Sequence, residues 1–113
     1  MAPAVRSQKP WQPLDAEHVS VLGGQLGVYE LAGADGRILL IGYAGGRSPF
    51  GLRGELERRL REHAGSGVQF RVEVTMAYLT RWRELLMVHV ADHGAPPPAN
   101  AADTAGLGRL SPA

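Results

Sequence analysis

The chain contains no cysteine, which excludes disulfides and thiolate metal sites. It has no run of about 18 consecutive apolar residues, the length that a membrane-spanning helix requires, and no basic N-terminal region followed by a long apolar stretch. Its net charge is only +1, whereas nucleic-acid-binding domains usually carry a clear basic excess. From 113 residues of ordinary composition we expect one soluble, cytoplasmic domain with no membrane partner.

Positive charge is nevertheless concentrated in one part of the chain. Eight of the twelve basic residues are arginines that lie between positions 47 and 83. A local basic face can therefore form on a nearly neutral molecule.

The hydrophobic pattern predicts a hairpin followed by a helix. Residues 22–31 and 37–43 have the composition of two strands, and Ala34-Asp35-Gly36 between them is typical of a hairpin turn. The apolar run in the second strand is too continuous for an exposed edge, so we expect this strand in the centre of the sheet. Leucines recurring every four residues predict a helix over 48–64, with Ser48 as its N-cap.

A third strand and a second helix complete the expected domain, residues 22–93. Strict alternation over 68–76 predicts the strand, and a largely apolar helix is expected from Arg81 to Asp92 with Thr80 as its cap. Residues 1–21 resemble an irregular arm that Trp11 and Leu14 attach to the body, and 94–113 an extended tail rich in Pro, Ala and Gly. The expected fold class is α+β, a small three-stranded antiparallel sheet (β-β-α-β-α) flanked by helices.

Two short motifs with ten residues between them carry the strongest functional signal. They are Gly27-Val28-Tyr29 and Leu40-Ile41-Gly42, and an arginine-rich segment and then Glu84 follow them. This order of parts resembles the GIY-YIG nuclease family, and the resemblance covers roughly residues 26 to 100. Glu84-Leu85-Leu86 and Pro98-Ala99-Asn100 look like the family's Glu-x-Leu-Ile segment and its later Pro-x-Asn.

The resemblance implies a hydrolase, a metal-dependent endonuclease that cuts phosphodiesters in nucleic acid, DNA more than RNA, with one Mg²⁺ or Mn²⁺. It implies Glu84 as the metal ligand and Tyr29 as a proton acceptor or an orienting hydroxyl. Leu40 replaces the tyrosine of the family's second motif, and Tyr43, beyond a bend at Gly42, can restore the hydroxyl. The positions implied to contact substrate are Gly27, Gly42, Arg47 and Asn100.

The site arginine has two candidates. Arg53 has the family's placement early in the helix, and we favour it, although it can also pair with Glu57 at i,i+4. Arg59 has the better match to the family's local motif, because the stretch from Leu56 to His63 looks like the family's Leu-x-x-Arg-Leu-x-x-His. The same motif ends at His63, which can approach a phosphate or carry a proton.

Ordinary structural roles remain open for these residues. Arg59 can pair with Glu55, and Glu84 can pair with Arg81 or be a solvated carboxylate near a helix N-terminus. Three functions therefore follow from the sequence. The first is the endonuclease, the second a catalytically degenerate module that binds nucleic acid or protein, and the third an enzyme that uses the same site on a small phosphorylated or guanidino substrate.

Overall fold

The computed structural model describes residues 6–101 with the exception of 8 and 64. Within that part of the chain, no helix combines the length and the apolar content that crossing a membrane would require. The elements are, in chain order, β1 (Gln12–Pro13), α1 (Ala16–Ser20), β2 (Gly27–Ala32), β3 (Ile38–Ala44), α2 (Gly51–His63), β4 (Gln69–Val74), α3 (Tyr78–His93) and a short 3-10 turn (Pro98–Asn100).

The strands form one antiparallel sheet in the order β1-β4-β2-β3. The α+β class is therefore confirmed, but the sheet has four strands and not the predicted three. The additional strand comes from the N-terminal arm, where Gln12 pairs with Phe70 and the Leu14 N–H donates to the Val68 carbonyl at 3.0 Å. Its Pro13 lacks an N–H group, which suits a strand at the edge of a sheet.

The prediction that the second hairpin strand is central was wrong, because β3 lies at the other edge of the sheet. Its apolar run is buried by helices on both faces. Leu40 and Ala44 belong to the core on the side of α1 and α2, whereas Ile41 packs with Trp82 and Leu86 on the side of α3.

The outer edge of β3 is closed by a side chain. The Asn100 amide accepts from the Ile41 N–H at 2.7 Å and donates to the Ile41 carbonyl at 2.9 Å, as a neighbouring strand would. The indole N–H of Trp82 donates to the same carbonyl at 2.8 Å. Helix-covered faces and a capped edge together explain why an edge strand has the sequence of a central one.

The N-terminal arm is more ordered than its sequence suggested. The expected attachment by Trp11 and Leu14 is observed: Leu14 is buried in the core, and the Trp11 ring lies 4.1 Å from the Arg71 guanidinium carbon. Helix α1, which the sequence did not predict, is capped by the Asp15 side chain and adds Val19 to the core. Residues 1–5 of the arm and 102–113 of the tail lie outside the described part of the chain.

Both long helices begin elsewhere than predicted. Helix α2 begins at Gly51 rather than at 48, because Gly51 has a φ of +59° and the Leu52 N–H donates to the Gln25 carbonyl outside the helix. Helix α3 begins at Tyr78, so Thr80 lies within it and is not its cap. As a result Glu84 stands in the second turn of α3, where a helix N-terminus stabilises a carboxylate less.

Candidate functional site

A cavity of about 590 Å³ opens where the end of β3 meets α2 and the start of α3. Its size is within the range of roughly 300–1,000 Å³ that small-ligand sites occupy. The lining has three parts: the loop between β3 and α2, charged side chains of α2, and aromatic side chains of β3 and α3.

The centre of the cavity wall is a buried phenol between two charged groups. Tyr29 is 1% exposed, and its oxygen accepts from Arg59 Nε at 3.0 Å while its hydroxyl donates to Glu55 Oε1 at 3.3 Å. Gly42 is the register partner of Tyr29, and a Cβ at that position would lie 2.4 Å from the phenol ring. The glycine of the second motif therefore makes room for the tyrosine of the first.

Burial raises the pKa of Tyr29 above its ordinary value, because a phenolate is poorly solvated there. The Arg59 hydrogen bond and charge lower the pKa, but their effect is smaller than that of burial. The hydroxyl is consequently protonated near neutral pH. In this arrangement it orients Arg59 and Glu55 rather than accepting a proton.

Arginines outnumber carboxylates in the cavity lining. Arg47, Arg58 and Arg59 line it, and Glu55 is the one acidic residue of the lining within the described residues. Arg58 donates to Glu55 at 2.7 Å and is still half exposed, and Arg59 also pairs with Glu62 at 3.0 Å. The predicted pair of Arg59 with Glu55 is thus replaced by a pair of Arg58 with Glu55.

Three aromatic rings form another part of the lining. Tyr43 and Tyr78 are stacked, with ring centroids 5.7 Å apart and an angle of 21° between their planes, and Trp82 meets Tyr43 edge-on at 5.0 Å. The Tyr78 hydroxyl accepts from the Gly46 N–H at 3.2 Å, and a Cβ on Gly45 would lie 2.5 Å from the Tyr78 ring. The loop glycines therefore allow α3 to approach the end of β3 closely.

Half of the predicted site residues line the cavity: Tyr29, Gly42, Tyr43, Arg47 and Arg59. The arginine beside Tyr29 is Arg59, which reverses the preference for Arg53 as the arginine of this site. Arg53 instead pairs with Glu57 at 3.4 Å on the exposed surface of α2, the alternative that its spacing allowed. It is not among the residues that line the cavity.

Glu84 lies outside the cavity lining and pairs with Arg81. The same guanidinium binds Glu73 through two hydrogen bonds, of 2.8 and 3.1 Å. The structure therefore does not bring Glu84 into the cavity with Tyr29 and Arg59. It shows instead the ion pair of Glu84 with Arg81 that the sequence allowed.

The residues of the cavity do not fit a divalent metal ion. Its carboxylate, Glu55, is already bound by the Arg58 guanidinium, and a cation there would also face Arg59. The described residues contain no cluster of three or more His, Asp or Glu side chains arranged to hold a metal. The donor set is suited to an anion rather than to Mg²⁺ or Mn²⁺.

The other three predicted residues have visible structural roles. Asn100 is fully buried, and its amide is engaged by Ile41. At Gly27 a Cβ would lie 2.2 Å from the Glu73 carbonyl oxygen, so close packing of β2 and β4 explains the glycine. His63 ends α2, where its carbonyl accepts from the Ser66 N–H at 3.1 Å, and it does not line the cavity.

The cavity residues that the sequence reasoning missed include two pairs on helices. The i,i+3 spacing of Glu55 and Arg58, and the i,i+4 spacing of Tyr78 and Trp82, place each pair on one helix face. The first signal is also typical of an ordinary ion pair on an exposed helix face. The second was hidden because the expected start of α3 excluded Tyr78.

Fold and cavity together define a small α+β domain with a pocket lined by arginines and aromatic rings. Residues 5–92 match the family model described as a domain of unknown function, DUF7508, and the chain belongs to that family. No curated protein and no solved structure matches it.

Proposed function

We propose that this domain binds the phosphodiester backbone of nucleic acid in the cavity, as a GIY-YIG-like module without metal-dependent cleavage. The observation that carries the proposal is the placement of Arg58 and Arg59 beside a neutral phenol in a cavity with a single lining carboxylate. Guanidinium groups match phosphate oxygens in geometry and charge, and Arg58 is half exposed and accessible to a ligand.

The positions of the two motifs support the relation to GIY-YIG proteins. Tyr29 of the first motif and Gly42 of the second are register partners. The arginine that contacts Tyr29 is Arg59, which lies within the family-like motif on α2. The resemblance would place a second hydroxyl beside this phenol, but Leu40 is buried on that side of the sheet. Tyr43 instead contacts Tyr78 and Trp82 of α3, so it does not supply the missing hydroxyl. The absence of that hydroxyl beside Tyr29 favours binding over cleavage.

The charges of the lining select among ligands. A guanidino compound would face three arginines and is disfavoured by like-charge repulsion. An anion is favoured locally although the whole molecule is nearly neutral. We therefore expect modest affinity that depends strongly on salt, and we take DNA as the first ligand to test.

The test measures binding of a fluorescently labelled DNA oligonucleotide by anisotropy over a series of salt concentrations. A double variant, Arg58→Gln with Arg59→Gln, should lose about tenfold or more in affinity, because two charged hydrogen-bond donors are removed. The slope of log affinity against log salt should fall by about 1.4 for a single strand.

A matched variant separates local contacts from net charge. Arg53→Gln with Arg61→Gln removes the same charge from the same helix, at positions outside the cavity lining. Its affinity should stay close to that of the wild type. Equal losses in the two double variants would contradict a phosphate site in the cavity, as would binding that does not change with salt.

Cleavage is tested separately with supercoiled plasmid and Mg²⁺ or Mn²⁺. A binding module leaves the plasmid intact, or leaves nicking at the same level in the variants Glu55→Gln and Glu84→Ala. Metal-dependent nicking that disappears in either variant would instead establish an endonuclease and identify its carboxylate.

A further inference from the structure

The aromatic wall of the cavity is not needed for binding a phosphate. Tyr43 remains 37% exposed although it stacks on Tyr78 and touches Trp82. Leu79, which follows Tyr78 in α3, is also exposed and lines the same cavity. An apolar, ring-lined surface and the arginines thus line the same concave site.

Such a combination of surfaces corresponds to the two halves of a nucleotide. The phosphate is an anion suited to guanidinium groups, and the base is a flat ring whose face stacks on aromatic side chains. Two of the rings are held by hydrogen bonds, because the Tyr78 hydroxyl accepts from Gly46 N–H and the Trp82 indole donates to the Ile41 carbonyl. Tyr43 packs against both of these rings. A preorganised ring loses little conformational freedom when a ligand stacks on it.

We propose that the cavity accepts an unpaired nucleobase against Tyr43 while Arg58 and Arg59 hold the neighbouring phosphate, so that the domain selects single-stranded over duplex DNA. This inference rests on the proposed function. In a duplex the base faces are covered by adjacent base pairs, and exposing one requires unstacking it. A flexible single strand presents base and phosphate to a concave site without that cost.

The experiment compares three labelled ligands of equal phosphate number: a single-stranded oligothymidylate, an oligomer of abasic sugar-phosphate units, and a duplex. The 113-residue wild-type chain should bind the oligothymidylate about tenfold more tightly than the abasic oligomer, given the usual contribution of one stacked base. The duplex should bind no more tightly than the abasic oligomer.

Three variants at position 43 assign the preference to stacking. Tyr43→Leu should lose most of the preference for bases, measured within this variant as the ratio of its affinities for the oligothymidylate and the abasic oligomer. Tyr43→Phe and Tyr43→Trp should keep the preference, because the ring remains. If Tyr43→Phe behaves like Tyr43→Leu, the hydroxyl matters rather than the ring, and the inference is overturned.

The outcomes for this inference and for the proposed function are distinguishable. Equal, salt-dependent affinity of the wild type for all three ligands would leave the phosphate site standing and refute the base site. An equal loss of oligothymidylate and abasic binding in Tyr43→Leu would also refute the base site. If none of the three ligands binds, both the proposed function and the base site are refuted.

Discussion

Two arginines of the molecule, Arg59 and Arg81, are surrounded very differently. Arg81 is 13% exposed and lies between two carboxylates, those of Glu73 and Glu84. Arg59 donates to a neutral phenol and to one carboxylate at its exposed end, that of Glu62. Arg81 therefore faces two carboxylates, whereas Arg59 faces one and also lines the cavity.

This difference explains why the arginine-rich composition alone did not locate the site. An arginine that faces two carboxylates stabilises the fold, and an anion that approaches it meets their negative charge. An arginine whose partners are one carboxylate and one un-ionised hydroxyl leaves less negative charge in the path of an anion. The environment of each guanidinium, and not the number of arginines, therefore indicates where an anion can bind.

The largest expected effects come from exchanging each of these arginines for glutamine. Arg59→Gln should weaken DNA binding by about tenfold, because a charged donor to phosphate is lost. Arg81→Gln should leave binding within about twofold and lower the free energy of unfolding by about 1–2 kcal/mol, because Glu73 and Glu84 lose a shared, partly buried partner.

Anisotropy titrations and urea unfolding of both variants check this prediction. If Arg59→Gln and Arg81→Gln change the DNA affinity and the free energy of unfolding to the same extent, the two arginines do not differ in role.

A smaller effect, of opposite sign, is expected at the carboxylate of the cavity. Glu55 accepts from Arg58 and Tyr29, so it competes with a phosphate for the same donors. Glu55→Gln should therefore tighten DNA binding about threefold to fivefold. Glu84→Gln removes the same charge outside the cavity lining and should change affinity little. Weaker binding in Glu55→Gln would show that this carboxylate contributes to the ligand site instead of blocking it.

The smallest effect concerns alkaline pH. Because the folded state holds the pKa of Tyr29 above the ordinary value of 10.0, its stabilising contribution is complete below that value and is lost as pH rises through the folded pKa. The free energy of unfolding should therefore fall more steeply above about pH 10 in the wild type than in Tyr29→Phe. Urea unfolding across pH 8 to 11 measures the difference, and parallel pH profiles would contradict it.

Local patterns predicted the elements well where the chain repeats a simple period. The alternation around β4 and the leucines of α2 fixed the type of each element, because burial on one face demands that spacing. The hairpin follows from the turn signal between the strands, whereas its register, which is irregular between Leu31 and Ala32, was not predicted. The position of β3 could not be predicted in this way, since its edge is closed by Asn100 from far along the chain.

The candidate site was predicted only in part for a related reason. Tyr29, Gly42 and Arg59 could be selected because short motifs contain them. Their neighbour Glu55 and the aromatic pair of Tyr78 and Trp82 could not, since their role depends on where α2 and α3 begin and on which sheet face each covers. Helix starts are decided by backbone contacts, such as the bond from Leu52 to Gln25, that sequence periodicity does not encode.

The amide of Asn100 also has a consequence for self-association. It satisfies the outward N–H and C=O of Ile41, in the middle of a strand with a strongly apolar composition. A chain that terminates before Pro98 would expose those groups as a template on which the strand of a second molecule can add. Such a truncated protein should form β-rich oligomers at concentrations where the 113-residue chain stays monodisperse, so a few residues after the last long helix protect the molecule from aggregation.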